Sequence, residues 1–156
     1  MTQEEKELLL KDLSARLPYG VKAYIKNWSK LDQKYYEGVY TVVSVHPSLN
    51  DIYASTENGS VEVILGYSDY CIKPYLFPLS SMTEEQKMEI KSVCDGTEIF
   101  DDGSWMSYIS ILSNFNFEIN PAVAAVVDIY NKYHLDYRGL IPKDLAINAT
   151  GLNIYE

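Results

Sequence analysis

The hydrophobic pattern changes period along the chain. In residues 2–17, Leu9, Leu10, Leu13 and Leu17 share one side of a 3.6-residue repeat. Thr2 and Glu5 have capping-box spacing and Pro18 ends the run, so the pattern predicts a helix whose stripe packs on the protein's own sheet. From Val21 the period drops to two: Val21, Ala23 and Ile25 point one way, and Lys22, Tyr24, Lys26 and Trp28 the other. This is a strand with one wet face. YYEGVYTVVSVH is rich in β-branched residues and predicts a strand central in the sheet, with Val39, Thr41, Val43 and Val45 on one face. Residues 47–51 read as a turn and 51–55 as a short strand. Asn58 and Gly59 then form a hairpin dipeptide, because both tolerate positive φ, and SVEVILGY is the partner strand.

In YCIKPYLFPL, Pro74 and Pro78 lack amide donors, so this segment is expected at a sheet edge or across the surface, not inside the ladder. A second helix follows, with Thr83 and Gln86 at capping spacing and Met88, Ile90, Val93 and Cys94 as apolar contacts until Asp95 and Gly96 end it. Residues 97–119 read as two strands turning at Asp102 and Gly103. Asn120 caps a third helix with Pro121 in its first position, and Val123, Val126, Val127 and Tyr130 form its stripe up to about His134. The tail breaks at Gly139 and Pro142. Short connections between the early strands exclude βαβ winding there, since a parallel pair needs a longer crossover. The expected fold is a single α+β domain over 1–156: a strongly curved antiparallel sheet, small-barrel-like, packed with N-terminal and C-terminal helices.

Composition adds bounds. With 156 residues, 47% of them hydrophobic and 22% charged, the chain can bury one apolar core without metals or disulfides. The apolar stretch 122–127 is far too short to cross a bilayer. MTQEEKELLL lacks the basic start and long apolar run of a secretory signal, so a cytoplasmic protein is expected. Cys71 and Cys94 have neither CxxC spacing nor a paired histidine, which suggests buried thiols.

Thirteen Lys and Arg against 22 Asp and Glu give a formal charge of −9, which disfavours nucleic acid and anionic lipid. Residues 1–34, however, hold seven basic and five acidic residues, so any polyanion contact must use this quarter. Lys22, Tyr24, Lys26 and Trp28, extended by Lys30 and Lys34, alternate cations with rings, a pattern that can hold single-stranded nucleic acid by stacking and phosphate contact. The ordinary reading, a solvated strand face covered by lysine stems, outweighs it. Binding at physiological salt is not expected.

His134, Asp136 and Arg138 form a second polar cluster, with a histidine beside a carboxylate as a conceivable general base or metal ligand. Nothing is spaced as a nucleophile against them, and only His46 and His134 are available as imidazole ligands. The simpler reading puts His134 at the helix C-terminus, pairs Asp136 with Arg138 and gives Gly139 a left-handed backbone. No catalytic residue, metal or cofactor is therefore assigned. Residues 84–102 collect seven acidic residues against two lysines, a carboxylate surface that can imitate phosphates. Fourteen tyrosines fit an interaction surface or an ordinary sheet equally well.

PYGVK at 18–22, IKPYLFPLSSMTEEQK at 72–87 and LDYRGLIPKDLAI at 135–147 resemble a family of short uncharacterised proteins of gut Bacteroides-type bacteria and their phages or mobile elements. These segments cover 34 of the 156 residues. The chain departs from that pattern at Phe77, where basic residues are common, and at Asp144, where glycine is. The resemblance implies a bacterial, phage or mobile-element context and transfers no activity. The expected function is a non-enzymatic protein-interaction module with a protein partner or a second copy of itself. The alternatives are a single-stranded nucleic-acid-binding domain and an acidic phosphate mimic that inhibits a DNA-binding protein.

Overall fold

The computed structural model describes residues 1–29, 33–57, 59–65, 70–93 and 121–156. They form two compact units, one made of 1–76 with 138–156 and the other of 77–137.

The first unit opens with α1 (Gln3–Arg16), started by the expected capping box: Thr2 Oγ1 accepts from the Glu5 amide at 3.2 Å, and Glu5 Oε2 accepts from the Thr2 amide at 2.7 Å. Leu17–Tyr19 tighten into a 3-10 turn, and Gly20, at φ 67°, takes the left-handed step that turns the chain into the sheet. The strands are β1 (Lys22–Ser29), β2 (Lys34–His46), β3 (Asp51–Thr56), β4 (Gly59–Ile64), β5 (Tyr70–Leu76) and β6 (Ile147–Asn148), in the order β4-β3-β2-β1-β5-β6. Leu9, Leu10 and Leu13 of α1 share one core with Val21, Ala23 and Ile25, with Ile52 and Ala54, and with Val61 and Val63. The helix stripe and the apolar side of the first strand are therefore as the pattern predicts, and the sheet has α1 on one face.

The α+β class and the curved sheet agree with expectation, with two corrections to its form. The sheet is open, not barrel-like in closure, and it is mixed: β5 and β6 run parallel through Tyr75↔Ile147 and Leu76↔Asn148, while every other pairing is antiparallel. It curls far enough that Asn27 Nδ2 on β1 donates to the Glu62 carbonyl on β4 at 2.9 Å.

β2 is internal, as expected, but its faces differ from a simple alternation. Val42 pairs with Ala54 and Ser44 with Tyr53, so Val43 is an extra, bulged residue. Tyr36, Tyr40 and Val42 face the core before the bulge and Val45 after it, whereas Val39 and Val43 are exposed. The expected single face of Val39, Thr41, Val43 and Val45 is thereby broken.

A further correction concerns β5, which pairs with β1 from Tyr70 to Pro74 and is internal to the ladder. The proline is tolerated for a geometric reason. Val42 donates to the Val21 carbonyl, so the odd residues of β1 turn their backbone toward β2; Pro74, opposite Ala23, then turns its own backbone away from β1. Pairing with β6 begins only at Tyr75, beyond the position that has no donor.

The second unit holds a 3-10 turn (Leu79–Ser81), α2 (Glu84–Val93) and α3 (Pro121–Lys132). Thr83 and Gln86 exchange capping bonds at 3.0 and 3.3 Å as the sequence predicts. The stripe of α3 expected on the sheet is buried with α2: Val126, Ile129 and Tyr130 share a core with Ile90 and Leu135. Met88 of α2, expected to pack, is exposed. Glu89 of α2 accepts from Lys132 Nζ at 2.8 Å and from the Tyr133 hydroxyl at 2.6 Å. Asn58, Cys94, the helix stop at Asp95 and Gly96, the two strands of 97–119 and the Asn120 cap lie outside the described residues. Among those described, no helix is long and apolar enough to cross a membrane.

Candidate functional site

The outward side of β1 carries Lys22, Tyr24, Lys26 and Trp28, as read from the alternation, but each has a partner within the protein. Lys22 Nζ donates to the Ile154 carbonyl, and the Lys22 amide donates to the Tyr155 hydroxyl at 3.3 Å, which itself donates to the Tyr75 carbonyl at 2.7 Å. Burial pushes the Tyr155 phenol up to about 12. Tyr24 donates to Glu37 Oε1 at 2.6 Å, and Lys26 lies 3.6 Å from Glu37 Oε2. The hydrogen bond from Tyr24, followed by the charge of Lys26, holds the Glu37 carboxyl below its ordinary value, and the same hydrogen bond raises Tyr24 to about 12. Trp28 meets Tyr35 with ring centroids 4.7 Å apart. Two of the lysines and both rings are thus engaged by a carboxylate, a carbonyl or one another. Lys30 and the side chain of Lys34 lie outside the described residues.

The second predicted cluster is divided between the two units. His134 is buried, with a left-handed backbone at φ 53°, and its carbonyl accepts from the Phe77 amide at 2.9 Å. The buried Asp136 donates its amide to the Phe77 carbonyl at 2.7 Å, so this strip forms a short parallel bridge. Arg138 belongs to the first unit, where its Nε lies 3.3 Å from Asp12 Oδ1. Asp12 and Arg16, four residues apart on the buried side of α1, are fully buried and joined by bonds of 2.8 and 2.9 Å. One carboxylate therefore faces two guanidinium groups, which places Arg138 in a charge cluster with α1. Gly139 has the expected left-handed backbone, at φ 69°.

The feature that sequence reasoning missed is the outer face of β2, β3 and β4. Tyr35, Val39, Val43, Tyr53 and Ile64 are all exposed large hydrophobic residues there, and Val43 and Tyr35 are each 58% exposed. Leu49, in the β2–β3 turn, is 66% exposed. The signal was present in the period-two pattern of β2, but the bulge at Val43 shifts which half of that pattern reaches solvent. Polar groups are set among these residues. Tyr53 donates to Glu62 Oε1, and this raises the phenol to about 12. Its ring lies edge-on to His46 at 5.9 Å. Residues 35–65 contain four carboxylates, Glu37, Asp51, Glu57 and Glu62, and no Lys or Arg.

Elsewhere in the first unit, an open pocket of about 480 Å³ is lined by Lys6, Cys71, Ile72, Lys73, Lys143 and Leu145, among others, and Lys73 there is ion-paired with Asp144. Among the described residues, no three His, Cys, Asp or Glu side chains are grouped so as to hold a metal. No family model matches the chain, and neither does any curated protein or solved structure.

Proposed function

We propose that this protein is an interaction module whose outer sheet face, across β2 to β4, docks another protein. The observation that carries this reading is the outward set Tyr35, Val39, Val43, Tyr53 and Ile64 on three adjacent strands. Exposed apolar groups are ordinary when scattered singly; clustered on one sheet face and rimmed by polar groups, they mark association surfaces. Tyrosine suits such a surface, since it contributes large contact area with few rotatable bonds and keeps a hydroxyl for the rim.

Charge narrows the partner. Residues 35–65 carry four carboxylates and no Lys or Arg; Glu37 is met by Lys26 of β1, but the β3–β4 side, with Asp51 and Glu62, fits a partner whose apolar patch is bordered by basic residues, and opposite charge would speed the encounter. The nucleic-acid alternative is weaker on the same grounds: Lys22 and Lys26 already meet a carbonyl and a carboxylate. The test is a Val39→Gln, Val43→Gln double variant, which removes apolar contact and leaves the charge unchanged. Reciprocal capture of one specific partner should fall at least tenfold with the melting temperature retained. Undiminished capture overturns the reading.

A further inference from the structure

On the proposed docking face, two carboxyl groups meet with no cation paired to either among the described residues. Asp51 begins β3 and Glu62 lies on β4, where the register sets Asp51 opposite Ile64 and Tyr53 opposite Glu62. The two acids are therefore diagonal neighbours on one side of the sheet, within reach of each other's side chains. Asp51 is only 6% exposed, and its Oδ1 has no hydrogen-bond partner among the described residues. Glu62 receives the Tyr53 hydroxyl on Oε1. From β2, His46 pairs with Asp51 in the register and sets its ring edge-on to Tyr53.

Ionised carboxylates are acceptors only. Two of them in contact need either a proton or a cation between them. Asp51 accordingly titrates above its ordinary range, first because it is withdrawn from water and then because Glu62 faces it, while His46 acts in the opposite sense.

We propose that the Asp51–Glu62 pair, walled by the Tyr53 and His46 rings, is the receptor for an arginine side chain of the partner protein. Arginine fits better than lysine on three counts. Its planar fork offers several N–H donors to two acceptors, it is weakly hydrated, and it stacks on aromatic rings. On docking, the guanidinium supplies the donor that Asp51 Oδ1 lacks and the charge that offsets the two carboxylates. The guanidinium needs an ionised carboxylate, so binding tightens as pH rises through the raised Asp51 titration, by up to about tenfold per pH unit below it.

This inference rests on the docking face proposed above, and its test is separable from that reading. Methylguanidinium chloride is titrated into the full chain at constant ionic strength, with amide and side-chain carboxyl shifts recorded by NMR at pH 4 and pH 7. Saturable shifts confined to His46, Asp51, Tyr53 and Glu62 are expected. The affinity at pH 7 should be at least fivefold above that at pH 4 and above that of methylammonium. Glu62→Gln, which keeps the acceptor for Tyr53, should weaken binding at least fivefold; Asp51→Asn is the second variant should either fold poorly. Unsaturable shifts spread over the acidic surface, equal affinity for methylammonium, or binding unchanged in a folded variant each overturn the proposal. The Val39→Gln, Val43→Gln chain keeps this site, so loss of partner capture there with methylguanidinium binding intact bears on the docking face alone. Capture that survives Glu62→Gln overturns only the arginine receptor.

Discussion

At the scale of single residues, the first unit is marked by charges taken out of water. Asp12 is fully buried and faces both Arg16 and Arg138. Removing one member of such a group leaves an uncompensated buried charge, so Asp12→Ala should cost about 3–5 kcal/mol in urea unfolding, a loss of under 1 kcal/mol contradicting this. Tyr155→Phe removes both the donor to the Tyr75 carbonyl and the acceptor of the Lys22 amide, for an expected loss of about 1–3 kcal/mol by the same measurement. Asp51 behaves in the opposite sense to a salt-bridged acid. Its folded-state value is raised, so its contribution is full below about pH 4, the ordinary aspartate range, and is lost as pH climbs through the folded value. Glu62→Gln should therefore be more stable than the natural chain near neutral pH, by about 0.2–1 kcal/mol, with the difference shrinking toward pH 4. Melting temperatures of the two proteins across that range would test the sign; a constant difference would contradict it.

At the scale of elements, legibility followed local rules and failed where neighbours decide. The capping pairs Thr2 with Glu5 and Thr83 with Gln86 were readable because both partners lie within one turn of chain. The wet and dry sides of β1 were equally readable, since alternation is a backbone property. Three features were not. The bulge at Val43 depends on the register with β3, and β5 is internal because Pro74 turns its nitrogen away from β1. The partner of the α3 stripe is α2, which lies far away in sequence. Candidate residues fared likewise: Tyr24 and Trp28 were placed outward correctly, but their engagement by Glu37 and Tyr35 is a matter of cross-strand pairing. The ion pair of Arg138 with Asp12 of α1 joins residues far apart in sequence and leaves no local signal. In the helical unit, the hydrogen bonds of Lys132 and Tyr133 hold Glu89 below its ordinary value. Their stabilisation is present above the usual glutamate value and is lost as pH falls through the lowered one, opposite to Asp51. Lys132→Ala should move the Glu89 carboxyl titration upward in carbon-detected NMR; an unmoved titration would contradict the pairing.

At the scale of the whole molecule, charge and exposed apolar surface favour a protein partner over a polyanion. A net charge of −9, with Lys22 and Lys26 engaged internally, predicts no measurable binding of single-stranded DNA or RNA at physiological salt, with Trp28 fluorescence as the reporter. Micromolar binding lost in Tyr24→Ala, Trp28→Ala would contradict that. A protein docked on the face bearing Val39, Val43, Tyr53 and Ile64 would be captured by site-specific photocrosslinking. A benzophenone amino acid is placed at Val43, or at Glu7 on the exposed side of α1 as a control, and irradiated in the native cell. The docking face predicts one reproducible adduct at position 43, to a protein with a basic-rimmed patch, that is absent at position 7 and diminished by Val39→Gln. No adduct at 43, or the same adducts at both positions, would contradict it.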